Sequence, residues 1–411
     1  MRERVLARVD RRELVDLASA LIRIPSFKTE ETEVARFLAD FFRPRGYDVD
    51  LQEIEPGRFQ TIATLRGAGG GASLMLNGHT DINALTMRWK RDPWTPVLEG
   101  DHLFGHGVQN MKGGLASIIM AAEAIRRSDV RLEGDLVVAC VAGETQGGEG
   151  THYLMQSGLR TDAAVVAEPF GADNLVTVHS GIVHFAIHTY GVTGHIGRLE
   201  GTVNAVRKMT AVIEALERVE FRHTPRPDLP AFPRLNVGGV IGGRGRDYVL
   251  VEPPYVPDLC TILVDVHFVP GQTVEQILAD VRRALDPLVA ADRALRYEIE
   301  IPPPARFKGR RRLVMEPLDV PIDAPIVQAV ARSYRAVTGR EPRAIGTVLP
   351  HSYSADDTCH LWKAGIPCLL YGPGVIRGGA DEDDACVLVS EMVTVTRVLA
   401  VAALEVCGAA V

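Results

Sequence analysis

Apolar residues fall into two rhythms along this chain. Over residues 12–23 and 31–42 they recur every three or four positions, the spacing of a helix with one buried face. Short, almost unbroken apolar runs come next at Ser73-Leu-Met-Leu-Asn77, Asp135-Leu-Val-Val-Ala-Cys-Val-Ala142 and Ala163-Ala-Val-Val-Ala167, each bounded by polar or glycine residues. Strands of a parallel sheet read this way, because helices cover both faces and leave no solvent side. Between the first two runs, residues 111–125 predict another helix. Strand and helix in alternation imply an α/β fold whose mostly parallel central sheet is flanked by helices.

The middle of the chain changes character. From about 176 to 297, two strand patterns (183–190 and 261–269) accompany two helical ones (203–219 and 273–288). That order predicts a smaller α+β unit at 178–297, inserted into a larger domain made of 1–177 and 298–411. The Pro-rich stretch Ile301-Pro-Pro-Pro304 marks the return, and Cys368-Leu-Leu-Tyr371 resumes the strand pattern. A length of 411 residues suits two compact domains.

Composition narrows the class. Hydrophobic residues at 46% and charged residues at 24% belong to a folded globular protein. The net charge of −7 argues against a nucleic-acid partner, which calls for a basic face. The first eight residues are charged and lack the apolar stretch of a secretory signal. The apolar segment 387–411 is broken by Glu391, Arg397 and Glu405, whereas a membrane span needs about 20 nearly charge-free residues. It is expected to be a buried terminal helix, with no membrane association. Cys140, Cys260, Cys359, Cys368, Cys386 and Cys407 show no paired spacing, as expected of reduced thiols in a cytoplasmic protein.

In open α/β sheets, ligands gather beyond the carboxyl ends of the strands. The residues just after each apolar run here are polar and reactive: Asn77-Gly-His-Thr-Asp81, Ala142-Gly-Glu-Thr-Gln-Gly-Gly-Glu-Gly-Thr151, Ala167-Glu-Pro169 and Tyr371-Gly-Pro-Gly374. A lone His or Glu is more often structural than functional, but several converging at one sheet edge change that balance. In His79-Thr-Asp81 an imidazole and a carboxylate two residues apart point to the same side of an extended segment. Asp81 is expected to accept the second ring N–H of His79, or of a neighbouring ligand, and so fix its orientation.

These stretches resemble the peptidase-like zinc hydrolases that include aminoacylase, carboxypeptidase G, acetylornithine deacetylase and succinyl-diaminopimelate desuccinylase. The resemblance also takes in Gly105-His-Gly-Val-Gln-Asn-Met-Lys-Gly-Gly114, Gly191-Val-Thr-Gly-His195, Gly201-Thr-Val-Asn-Ala205 and Gly365-Ile-Pro367, in family order across nearly the whole chain. It implies a catalytic domain with an inserted dimerisation domain, hence a homodimer or larger homo-oligomer.

The departures carry more information than the matches. The family pattern has two metals sharing a bridging Asp. His79 and Glu168 stand where the first metal's own ligands belong. Asn110 occupies the bridging position, Thr145 replaces the second metal's Glu, and Ala380 its His. Random decay would strike every part of the site alike, yet Glu144 in the general-base position, Asp81 and His195 are all present. Two dications beside a single remaining ligand carboxylate, Glu168, would repel strongly. One divalent metal per subunit (zinc, manganese or cobalt) is therefore expected, held by His79, Asn110 and Glu168 with open positions for water and substrate. His106, Gln146, His351 and Asp383 are candidate substitute ligands, though each reads better as surface or pocket lining. The resemblance gives His195 the task of stabilising the oxyanion in a partner subunit's site. Asp357 matches an acidic family position. His267 stands where the family has Arg, and Pro254 where an Asn often helps bind substrate.

A single dication lowers the pKa of water, and Glu144 takes the proton and hands it on. The resulting expectation is a metal-dependent hydrolase of a C–N bond in a small carboxylate-bearing substrate, first an amidohydrolase on an N-acyl amino acid. A second reading is an aminohydrolase of an activated aromatic amine such as nitroanthranilate, where the ring already assists attack. The third is a metal-free, non-catalytic family member.

Overall fold

The computed structural model describes residues 1–250, 254–307, 312–374 and 384–409. They divide into two compact units, Met1–His179 with Leu318–Val411, and Ser180–Pro317.

The first unit is built on an eight-stranded sheet. In spatial order its strands are Asp48–Glu55, Arg58–Leu65, Leu136–Val141, Leu74–His79, Ala163–Val166, Cys368–Leu370, Asn174–Val176 and Ala344–Gly346. The three predicted apolar runs form its centre, and every residue of these strands is buried. Leu74–His79 pairs in parallel with Leu136–Val141 on one side, His79 opposite Val141, and with Ala163–Val166 on the other. Burial on both faces explains the unbroken apolar pattern. The antiparallel pair Asp48–Glu55 and Arg58–Leu65, absent from the predicted elements, extends one edge.

Helices cover the sheet. Arg11–Ile22 starts at Asp10, whose side chain accepts the N–H groups of Arg12 and Glu13, donors that a helix start leaves unpaired. Gly113–Arg126 is buried at every residue but its last. Ahead of it Lys112 is also fully buried, its Nζ donating to the carbonyls of Leu21 (2.9 Å) and Ile24 (2.7 Å). The predicted terminal helix forms as Val389–Cys407 with a largely buried surface. Among the described residues no helix is long and apolar enough to cross a membrane. All six cysteines are free.

The second unit is a four-stranded antiparallel sheet in the order Arg234–Gly243, Leu259–Phe268, Gly181–Tyr190, Arg296–Glu300. Helices Ala205–Leu216 and Val274–Ala291 pack on it through Met209, Val212, Ile277, Val281 and Leu285. It has two more strands than the pattern predicts, and its end lies beyond position 297. Arg296–Glu300 pairs with Gly181–Tyr190, so the chain stays in this unit until Pro317.

Candidate functional site

Three adjoining parallel strands end at one place. His79 is the last residue of Leu74–His79, Glu144 opens a tight turn just after Leu136–Val141, and Glu168 comes two residues after Ala163–Val166. Ligand atoms of His79, Glu144 and Glu168 all lie within 4.8 Å of one another, and all three residues are buried. Among the described residues no other group of three His, Cys, Asp or Glu converges this way. Asn110 joins from the turn Val108–Lys112 that leads into helix Gly113–Arg126. Gly114 lets this helix approach: a Cβ there would lie 2.1 Å from the Ala167 carbonyl oxygen, beside Glu168.

The surroundings of His79 test whether a cation fits. Its Nδ1 lies 2.8 Å from the Asp81 carbonyl oxygen, and its Nε2 lies 2.8 Å from Asn110 Oδ1 and 3.6 Å from Glu168 Oε1. A carbonyl only accepts, so Nδ1 donates, and Nε2 faces the two oxygens. Oxygen and nitrogen atoms bonded to one divalent ion at about 2.0–2.2 Å are themselves about 2.8–3.6 Å apart, from octahedral to tetrahedral angles. The observed separations bracket that spacing. The donor set of His79, Asn110 and Glu168 therefore fits a divalent metal.

Asp81 acts differently from the expectation. The His79 ring N–H goes to its backbone carbonyl, while its carboxylate stands 3.6 Å from the ring. That carboxylate instead accepts the N–H groups of Glu144 and Thr145, each at 3.0 Å, and the Thr145 hydroxyl. Burial pushes its pKa up, but His79 and these donors outweigh burial and hold it below the usual range. Asp81 is thus an anionic brace under the turn that carries Glu144.

Negative charge is concentrated here. Burial raises Glu168 well above an ordinary carboxyl, and Glu144, Asp356, Asp357 and Asp81 add to the shift. Asp357 is raised in the same way, first by burial and then by Glu144, Asp81 and Asp356. Asp356 accepts the Thr358 N–H (2.8 Å) and hydroxyl (2.6 Å), and its second oxygen lies 3.7 Å from His179 Nε2. Two consecutive Asp residues before a helix are visible in the sequence, but the family pattern marks only Asp357. A bound cation relieves this mutual repulsion.

Three of the four candidate substitute ligands lie against other partners. His106 Nε2 is bonded to the Asn83 carbonyl (2.7 Å), and its ring packs against Trp89 and Trp94. Gln146 Oε1 accepts from buried Arg58 (2.9 Å), which also grips Glu31 and Glu149. The His351 ring stands 4.9 Å from that of Phe170, and burial pushes its pKa down. Asp383 and Ala380 fall outside the described residues.

Within the second unit, His195 is exposed, with its Nδ1 accepting the Gly197 N–H (3.1 Å). That bond leaves Nε2 to carry the ring proton and point a donor outward. His267 lies 3.2 Å from Asp265, which His184 approaches from its other side at 3.1 Å. The Pro254 carbonyl accepts the Ile196 N–H at 2.7 Å.

Known proteins share the sequence profile and the fold of this chain. Residues 75–405 match the profile described as peptidase family M20/M25/M40. The chain is 27% identical to the N-formyl-4-amino-5-aminomethyl-2-methylpyrimidine deformylase of Bacillus subtilis (strain 168), covering 94% of this chain and 93% of the relative. It is 28% identical to the acetylornithine deacetylase of Proteus mirabilis (strain HI4320), covering 90% and 91%. The dipeptidase Dug1p of Saccharomyces cerevisiae shares the fold with a TM-score of 0.78 at 14% identity, covering 98% of each chain.

Proposed function

The chain belongs to peptidase family M20/M25/M40, and from that premise we propose that it is a metal-dependent amidohydrolase of a small N-acyl compound, with an N-acyl amino acid as the first choice of substrate. The observation that carries this reading is the meeting of His79, Glu144 and Glu168 at adjoining strand ends, with Asn110 joining from the turn before helix Gly113–Arg126. The relatives, a deformylase and a deacetylase by name, support hydrolysis of a C–N bond but leave the substrate open.

When bound, the dication supplies Lewis acidity, polarising the acyl oxygen and making water easier to deprotonate. Glu144 removes a proton from the attacking water as its oxygen bonds to the acyl carbon. It then delivers that proton to the nitrogen as the C–N bond breaks. Asp81 holds the backbone of Glu144 in place throughout. His195, with its outward Nε2–H, is the candidate donor to the oxygen that becomes anionic, in the site of a second copy of this chain. That role makes a homodimer or larger assembly part of the proposal.

One metal rather than two is favoured. Thr145 commits its hydroxyl and N–H to Asp81, and Asn110 brings no charge to offset a second dication. Elemental analysis of purified protein is expected to find at most one tightly held transition metal per chain. Glu144→Gln is expected to keep that metal while turnover of an N-formyl or N-acetyl substrate falls ~10²–10⁴-fold. Two well-occupied metals would overturn the mononuclear reading, and wild-type turnover by the variant would remove Glu144 from the chemistry.

A further inference from the structure

Glu144 has both of its backbone polar groups held. Its N–H donates to Asp81, and its carbonyl accepts the N–H groups of Gly147 (2.8 Å) and Gly148 (2.9 Å). The side chain can then aim only as well as that turn is fixed. The Gly147 peptide is anchored in its own right, from a distant part of the chain. His360, in helix Thr358–Lys363, is 7% exposed, and its Nε2 lies 2.7 Å from the Gly147 carbonyl oxygen. A carbonyl only accepts, so this nitrogen carries the ring proton and donates.

Gly148 shows how closely the ring is seated. Its φ is +73°, in the left-handed region, and a Cβ there would fall 2.6 Å from the His360 ring and 2.9 Å from Asp357 Oδ1. The imidazole is therefore seated close against loop backbone, with the His152 ring edge-on at 5.2 Å. Burial pushes the His360 pKa down to about 4, so the ring stays neutral and keeps one donor at neutral pH.

We propose that His360 is a positioning residue for Glu144: it fixes the Gly147–Gly148 peptide, whose N–H, that of Gly148, fixes the Glu144 carbonyl, and so sets the direction of the general base. The proposal rests on the reading of Glu144 given above. Asp81 holds one side of the residue and His360, through one peptide, holds the other. A small misplacement of a reacting group costs up to ~10²-fold in rate.

The test compares wild type, His360→Gln and His360→Leu. Gln replaces the ring donor with an amide N–H, and Leu fills the space without one. Hydrogen–deuterium exchange over 143–149 is expected to quicken in His360→Leu and to stay near wild type in His360→Gln. With N-acetylornithine and the N-formylated aminomethylpyrimidine as probes, His360→Leu is expected to lose ~10-fold in kcat with KM and metal content unchanged, and His360→Gln to recover most of it. Unchanged exchange in His360→Leu overturns the proposal, whether or not either probe is turned over. So does a folded His360→Leu with kcat within about twofold of wild type, or a His360→Gln variant as impaired as His360→Leu. Glu144→Gln run alongside separates the two failures: normal turnover there sinks the general-base reading, whereas loss there with normal His360→Leu sinks only the positioning role.

Discussion

Lys112 ties the turn that carries Asn110 to the end of helix Arg11–Ile22, through two carbonyls and with its stem fully buried. Burial pushes its pKa from 10.5 down to about 7. The unfolded chain therefore holds a proton on this residue between about pH 7 and pH 10.5 that the folded chain has released, so the Lys112 contribution to stability rises with pH across that window. Below it both states are charged and the full cost of burying the charge is present. The denaturant stability of wild type relative to Lys112→Met is expected to increase between about pH 7 and pH 9.5, and a flat difference contradicts the assignment. At this scale the sequence was informative where a residue comes directly after an apolar run: His79, Glu144 and Glu168 could all be placed by counting from a strand end. It was silent on the part played by Thr145, which reads as a vacated ligand position, because its bond to Asp81 depends on two segments meeting across the fold. His360 was invisible for the same reason.

The central strands and the covering helices were legible because complete burial leaves an unambiguous pattern. The hairpin Asp48–Glu55 and Arg58–Leu65 was missed because its outer strand is a half-exposed edge, where polar and apolar residues mix. In the second unit, Arg234–Gly243 hides in the same way, as a glycine-containing edge strand with alternating exposure. Helix Gly113–Arg126 shows what the sequence could place but not explain. Its start passes so close to Ala167 that Gly114→Ala must push backbone apart, since the contact is with a carbonyl oxygen rather than a flexible side chain. An Ala in a helix ordinarily adds about 0.5–1 kcal/mol of stability over Gly. Here the sign is expected to reverse, to a loss of ~1–3 kcal/mol from overpacking, with weaker metal binding as Asn110 and Glu168 separate. Calorimetric titration with zinc or manganese beside a denaturant melt decides it, and a stabilised variant with unchanged affinity refutes the account.

Across the first unit, Asp81, Glu144, Glu168, Asp356 and Asp357 place five carboxyl groups in or beside one buried site. A cation that binds only the folded chain stabilises it by about 2.7 kcal/mol at a hundredfold excess over its dissociation constant. Stripping the metal with a chelator is therefore expected to lower the melting temperature by ~5 °C or more, and returning zinc, manganese or cobalt to restore it. An unchanged melting curve after verified metal removal contradicts the role given to His79, Asn110 and Glu168. The order of the parts along the chain has a separate consequence, for synthesis. His79, Asn110, Glu144 and Glu168 all precede Ser180, where the second unit begins, whereas His360 lies beyond Leu318, where the first unit resumes. A ribosome making this protein delivers each of the proposed metal donors before it makes the second unit. The histidine that steadies Glu144 emerges only after that unit is complete. The proposed metal donors are thus made before the second unit, and the proposed positioning histidine after it, with the rest of the first unit.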